Sequence, residues 1–523
     1  MKTSGVKPIS RYKQFLQKNY KHLILFAGLS LLNIFFLCWS FASNGLSLKS
    51  KSFIFLVIGS LFAEIVLCII LFIAKARHWK IEKIFLVLGL SIGILYVFAI
   101  PPGRAPDESS HFFRIYEITN GKLISDLNED KSLHGSIQPS NIYIIHDFEK
   151  NNVKYYDVFN SLSLRPDNSE QSFIVTSAGN YHPIEYTPHI IGMLTGKILN
   201  LPLLITIYIA KLFNCIACIL ILYFCIKYIP ILKEFVFFTA FLPITMQSIT
   251  SLSADGFIIA TAIALISFVL YTNYTMKTKL TKKHILLLFI LCLILSLSKV
   301  VYAMLCFLLF AIPRQRFKSQ KNKIIIIFTI GIICFIALFS WLIISSTPGA
   351  EVDPTNHNTL FHNPILYLSI LIKSFSANFS LYLNGALGGF LEWFNVVLSP
   401  LYLFPSLIIF VIYCYQNREK YYTNQTIRIL SAVIFLVITI ATFTAMYTGW
   451  TKPGETTIDG VQGRYFLPIL LLIPLFIISA KPKSQKLTTK PKSSLIVNQN
   501  YYIYGFFIFE SIYAIATIAC THI

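Results

Sequence analysis

The sequence predicts an all-α polytopic membrane protein of about thirteen transmembrane helices, with a mixed extracytoplasmic loop lobe. Three observations carry that prediction. Hydrophobic residues make up 55% of the 523 and charged residues only 13%, where a soluble domain of average usage carries about 25% charged residues. Apolar runs of membrane-spanning length recur from end to end. The basic residues behind the net charge of +21 fall mostly in short loops between those runs, which contain only Glu82, Glu234 and Glu419 among the acidic residues. Such loops are cytoplasmic by the positive-inside rule. The charge therefore sets orientation and touches anionic lipid head groups, which makes the lipid bilayer, and no nucleic acid, the expected partner. All ten cysteines lie within apolar runs, so the CxxC spacing of Cys215 and Cys218 reads as packing rather than redox or zinc chemistry.

With the basic leader (Lys2, Lys7, Arg11, Lys13, Lys18 and Lys21) taken as cytoplasmic, residues 22–42 go out and 53–74 return to Lys75, Arg77, Lys80 and Lys83. The leader precedes a run of about twenty apolar residues, a span rather than a cleavable signal. Residues 84–100 go out again and close segment 1–100. Segment 101–202 is a large extracytoplasmic loop carrying an acidic motif. Short strands are expected in it around Tyr143–Ile145 and Phe173–Val175, and a surface helix over 188–199.

Segment 203–344 is a bundle. Residues 203–228 return inward, and charge parity between Lys233 and the cluster Lys277–Lys283 then demands a hairpin over 235–271 with Asp255 near its outer tip. By the same parity 285–312 forms two short helices bent at 296–299, before 324–344 exits. Irregular backbone at membrane depth is tolerated only where protein covers it or it lines a wet cavity, so broken helices point to a site. Segment 345–397 is a second extracytoplasmic segment. Segment 398–523 holds spans 398–415, 429–447, 466–478 and 501–520, a third external loop, and a lysine-rich cytoplasmic loop over 481–492.

The residues that can carry chemistry converge on the outer face. Proline stops the third span at Pro101 and Pro102, and six residues after Pro101 stands the pair Asp107 and Glu108. A carboxylate there either caps the following helix or acts as base or ligand. His111, one turn on, can orient Asp107, and Arg114 reads as an ion-pair partner. Asp255 either caps the returning helix or serves the site. Lys299 sits at the bend between two short helices, where an anion site would be built. Arg464 has a fork suited to phosphate, with Gln462 and Tyr465 beside it in "QGRY". Tyr181 and Tyr186 close the large loop as belt or substrate residues. Glu64 and Glu510, in mid-span, are expected to be protonated or to face a partner helix. One carboxylate among several cations suits group transfer from a lipid-linked phosphate: the carboxylate takes a proton from an acceptor hydroxyl and the cations stabilise the departing phosphate. No HExxH, P-loop, GxSxG or dinucleotide pattern occurs. No cofactor or metal ligand set is expected, and a divalent cation is compatible with the chemistry.

These motifs also carry a resemblance. "PPGRAPDESSH", "SADG", "LSLSKVVY", "GALGGFLEW" and "VQGRYFLPILLLIP" occur in the order found in the bacterial membrane proteins called domain of unknown function 2142, which this sequence resembles over roughly 100–474. That family resembles the GT-C superfamily of glycosyltransferases, which use polyprenyl-phosphate sugars at the outer face of the membrane. The resemblance implies a GT-C-like fold in a bacterial cell membrane and an inverting transfer from a polyprenyl-phosphate sugar donor to a cell-surface glycan acceptor. It also implies that Asp107, or Glu108, is the base. A flippase or transporter of lipid-linked glycan, and a polysaccharide polymerase or ligase, are the alternatives.

Overall fold

The computed structural model describes residues 8–349, 354–420, 423–478 and 493–523, and these are mostly helical. The expected loop 481–492 lies outside the described residues. The chain opens with α1 (Pro8–Ser43), α2 (Lys51–Ala76) and α3 (Ile81–Ala99), then α4 (Glu108–Thr119) and the short α5 (Ile144–Lys150) and α6 (Tyr155–Asn160). Next come α7 (Thr187–Ile198) and α8 (Leu203–Tyr228). The expected hairpin over 235–271 is α9 (Lys233–Phe241) and α10 (Pro243–Ile249), broken at Pro243, followed by α11 (Asp255–Tyr274). The expected bend is real: α12 (Lys282–Leu297) stops, Ser298 and Lys299 are non-helical, and a 3-10 helix runs over Val300–Ala311. The remainder is α13 (Gln320–Ile344), α14 (Thr355–His362), α15 (Pro364–Leu387), α16 (Pro400–Lys420), α17 (Gln425–Gly449), a 3-10 helix Gly463–Ile469, α18 (Leu472–Ile477) and α19 (Ser493–Thr521).

Among the described residues nine helices are long and apolar enough to cross a membrane, α1, α2, α3, α8, α11, α13, α15, α17 and α19, rather than about thirteen. The physical reason is chain breakage. Pro243 divides one expected span, and Pro468 and Pro474 confine another to a 3-10 segment and the six-residue α18. α12 with its 3-10 continuation, and the apolar part of α16 around Pro405, are too short.

α15 was not among the expected spans; it is long and apolar enough to cross a membrane, so the segment 345–397, expected to lie wholly outside, contains a candidate span. The Tyr367 ring stacks 5.2 Å from Tyr447, and the Tyr382 ring lies 5.4 Å from Phe443. Tyr367 and Tyr382 are about 22 Å apart along α15, yet their partners are only about 6 Å apart along α17. Residues from both ends of α15 therefore meet the last turns of α17.

The mixed lobe between α4 and α7 carries a three-stranded antiparallel sheet, in the order β1 (Asp126–Leu127), β2 (His134–Pro139), β3 (Gln171–Val175). Gly135 pairs with Val175 and Pro139 with Gln171. The strand expected at Tyr143–Ile145 is instead helical, a 3-10 turn leading into α5, because Pro139 ends β2 and has no N–H to extend the ladder. A hairpin of β4 (Phe390–Leu391) and β5 (Val396–Val397) follows α15.

Packing divides the chain differently from the loop-based segments. α1, α2 and α19 form one compact unit, and residues 80–484 with His522 form the other. Within the first unit, Glu64 accepts hydrogen bonds from Ser30 Oγ at 2.6 Å and Asn33 Nδ2 at 2.5 Å, so this mid-helix carboxyl has its partners on α1.

Two glycines of the expected motifs have a packing reason. A Cβ on Gly256, in "SADG", would meet the Ser248 carbonyl at 2.5 Å, and one on Gly463, in "QGRY", would run into the backbone of Gly385 and Ala386. Gly256→Ala and Gly463→Ala are each expected to lower stability by about 1–3 kcal/mol through overpacking. Gly331→Ala, with open space around it, should not. Thermal unfolding of the detergent-purified variants checks this.

Candidate active site

The site is built from the end of α3 upward. After Pro101 and Pro102 the chain turns through Gly103, whose φ of +87° and close contact with the Ile145 carbonyl exclude a side chain. Glu108 then gathers the turn. Its Oε2 accepts from the backbone N–H groups of Gly103 and Ala105 at 3.0 and 3.1 Å, and its Oε1 from Leu252 at 3.0 Å. Lys211 of α8 completes the shell, with Nζ 3.0 Å from Glu108 Oε1 and donating to the Ile100 carbonyl at 3.1 Å. Both side chains are fully buried. Glu108 is thus an anchor with its acceptor sites occupied, so the acidic pair divides: the Glu108 lone pairs are committed to structure, and Asp107 is the more exposed member.

Asp107 stands at the N-cap of α4 without capping it, because its side chain makes no hydrogen bond to the helix N–H groups. Its backbone is left-handed, φ 60°, a conformation uncommon for a non-glycine residue and concentrated at functional positions. Its side chain is 42% exposed, and Arg464 Nη2 donates to its Oδ2 at 2.9 Å. Arg464 in turn faces Asp255, Nε to Oδ2 at 3.5 Å, and Asp255 Oδ1 accepts from Lys299 Nζ at 2.6 Å. Asp107, Arg464, Asp255 and Lys299 therefore form a line of alternating charge, assembled from the start of α4, the 3-10 helix Gly463–Ile469, the first residue of α11 and the break after α12. The Arg464 Nε–H is buried and makes no hydrogen bond. Tyr465 supports both cations, its ring 4.9 Å from Lys299 Nζ and 5.5 Å from Arg464 Cζ. Tyr302 Oη donates to the Tyr465 carbonyl at 2.8 Å.

The other expected residues take varied places. His111 does not orient Asp107. Its Nδ1 lies 2.5 Å from Tyr186 Oη, and its ring meets Tyr181 edge-on at 5.4 Å, because the His111 face of α4 is turned into the lobe. Burial lowers the His111 pKa to about 4 and pushes the Tyr181 hydroxyl up to about 12. Arg114 pairs with Glu117 at 2.9 Å and donates to the carbonyls of Leu123 and Tyr181, so it fixes the Tyr181 backbone from outside the charge line. Gln462 is half-buried and lines a small recess with Pro106 and Arg464.

Three features escape a reading of sequence alone. Lys211 is one, although a lysine within an otherwise apolar run is itself a signal that a partner exists. Another is the buried network in which Glu392 joins Arg104 at 3.0 Å and His522 at 2.6 Å; its members are far apart in sequence and left no local signal. The third is Glu185, fully buried with no hydrogen bond to either carboxyl oxygen, so that desolvation holds its pKa well above the usual carboxylate value.

Beside the charge line lies a cavity of about 290 Å³. Lys299, Tyr181, Tyr302 and Tyr465 line its polar end, and Leu338, Trp341 and Leu342 of α13 with Ala445 and Met446 of α17 line the rest. Among the described residues no group of three or more His, Cys, Asp or Glu side chains could hold a metal ion.

Two outcomes separate anchor from site. Lys211→Met leaves the Glu108 carboxylate buried without its cation and should cost about 3–5 kcal/mol, whereas Asp107→Asn, at a half-exposed pair, should cost under about 1 kcal/mol; thermal unfolding in detergent measures both. His111, at about 4 rather than its ordinary 6.5, stays neutral in the fold while the unfolded chain takes up a proton near 6.5. Stability should therefore fall as pH drops from about 6.5 toward 4, by about 3 kcal/mol from His111, with His182 and His189, both also lowered to about 4 by burial, acting in the same sense. Unfolding midpoints between pH 7.5 and 4.5 should show this slope, and His111→Gln should make it shallower.

All four members of the charge line lie within residues 90–473, which match the family described as "Predicted membrane protein (DUF2142)". Among curated proteins and among solved structures, none matches this chain. With nearly three quarters of its length matched, and with the motif residues placed as above, the chain belongs to the DUF2142 family of predicted membrane proteins.

Proposed function

We propose that this polytopic membrane protein is an inverting glycosyltransferase, moving a sugar from a polyprenyl-phosphate donor to a cell-surface glycan at the outer face of a bacterial cell membrane. The observation that carries this reading is the amphiphilic cavity beside the charge line. It offers a lysine and tyrosine end to a phosphate and an apolar wall, from two helices long enough to span, to the chain that bears it. A soluble sugar nucleotide has no use for the second half of that surface.

The chemistry follows from the partners left over. Asp107 Oδ2 is held by Arg464, and among the described residues Oδ1 accepts no hydrogen bond. With the side chain exposed on that side, Oδ1 accepts the proton of an acceptor hydroxyl as the hydroxyl oxygen attacks the anomeric carbon. The bond from that carbon to the donor phosphate oxygen breaks, and the phosphate leaves with the electron pair. Lys299 and the neighbouring Arg464 guanidinium stabilise the growing charge. Asp255 keeps both cations aimed at one point, and Tyr465 supports them from one face.

The test is donor consumption by purified protein supplied with synthetic polyprenyl-phosphate sugars and glycan acceptor. Asp107→Asn should reduce turnover by about 10²–10⁴-fold, and Arg464→Lys by about 10²–10³-fold, with insertion and folding retained. Turnover at the wild-type level in Asp107→Asn removes it as base. Wild-type protein that moves the lipid across a bilayer without breaking the sugar–phosphate bond is a flippase, and product that lengthens processively marks a polymerase.

A further inference from the structure

A second apolar cavity lies away from the charge line, along the outer surfaces of α8, α11 and α12. Its volume is about 590 Å³. It runs from Phe257, in the first turn of α11, to Tyr271 near the end of that helix, a length of about 21 Å at 1.5 Å per residue. Phe224, Phe257, Phe268 and Leu291 wall it, and Tyr228, Tyr271 and His284 stand at its far end.

That far end is basic. The Lys227 Nζ lies 5.3 Å from the Tyr228 ring and 5.9 Å from the Phe224 ring. Lys282 and Lys283 are the first two residues of α12, immediately before His284, and both are exposed. Arg316 Nε donates to the carbonyl of Thr272, next to Tyr271. Lys227, Lys282, Lys283 and Arg316 therefore stand next to the residues that line this end of the groove, and Asp255 and Lys299 belong to the opposite ends of the same two helices.

The geometry points to a binding site for an anionic phospholipid, one acyl chain lying in the groove between α8, α11 and α12 and the phosphate resting among Lys227, Lys282, Lys283 and Arg316. The side walls are apolar along the groove, which suits an acyl chain. Charge selects an anionic head group over a zwitterionic one. Tyr228 and Tyr271 suit the boundary between the two, where aromatic rings with a polar tip collect. The site stands independently of the glycosyltransferase reading, because none of its residues belongs to the charge line.

The experiment measures lipid binding to the full-length protein in detergent by native mass spectrometry, with dioleoylphosphatidylglycerol and dioleoylphosphatidylcholine as probes. Phosphatidylglycerol should bind at least tenfold more tightly. The variant K227E/K282E/K283E should lose that preference while still binding phosphatidylcholine, and Ala264→Trp, which fills the groove wall, should weaken both lipids. Equal binding of the two lipids to the wild-type protein overturns the proposal without recourse to any variant. So does an unchanged preference in the charge-reversed variant, or a photo-crosslinker at position 264 that captures a protein helix instead of lipid.

Discussion

The Glu108–Lys211 ion pair is the constraint on which the candidate site depends. Two full charges are buried with no exposed side-chain surface, one of them on a helix long and apolar enough to cross a membrane. Such burial is expensive unless geometry and hydrogen bonding are complete, and here they are. Glu108 collects three backbone N–H groups from two separate loops, and Lys211 adds the Ile100 carbonyl. The pair ties the end of α3, the turn before α4, the middle of α8 and the loop before α11 to one point. Asp107 is the residue next to that knot. Its left-handed backbone is what the knot leaves over, and the carboxylate is thereby turned away from the helix it precedes and toward Arg464.

The second requirement is broken helices. Continuous spans would satisfy every backbone group internally and leave no room for Lys299 or Arg464 to approach Asp255. The non-helical residues after α12 and the 3-10 segment beginning at Gly463 bring both cations to the first residue of α11. The glycines at 256 and 463 allow the neighbouring backbones to close in. The same breaks open the mixed cavity beside Lys299, so the stretches that cost regular structure are also those that border a ligand-sized space. Interruption of a span is tolerated where protein covers the freed groups, and Tyr302 bonding the Tyr465 carbonyl is one such cover.

Two cavities of the larger unit differ in their lining. The one at Lys299 is short and has a polar end formed by aromatic hydroxyls and a paired lysine. The one between α8, α11 and α12 is larger, and its far end lies next to the surface lysines Lys282 and Lys283. Electrostatics assigns each its own end of the helix bundle.

The fold class was determined by composition and by the repeated apolar runs, since no soluble packing can bury that many. The break at 298–299 was legible too, because charge parity demanded an even number of crossings where length allowed fewer; the break at Pro243 fell inside an expected span and was not read. Asp107, Asp255, Lys299 and Arg464 stood out because charges beside apolar runs are costly and rare. Other features were decided only by tertiary structure. The meeting of α15 with the end of α17 depends on which side chains touch, which hydropathy does not record. Glu108 and Asp107 are chemically alike and adjacent, so only the position of Lys211 one helix away separates anchor from candidate base. His111 faces Tyr186 because the lobe folds over that side of α4. Local pattern records which residues are expensive to bury; which partner offsets each expense is a property of the assembled chain.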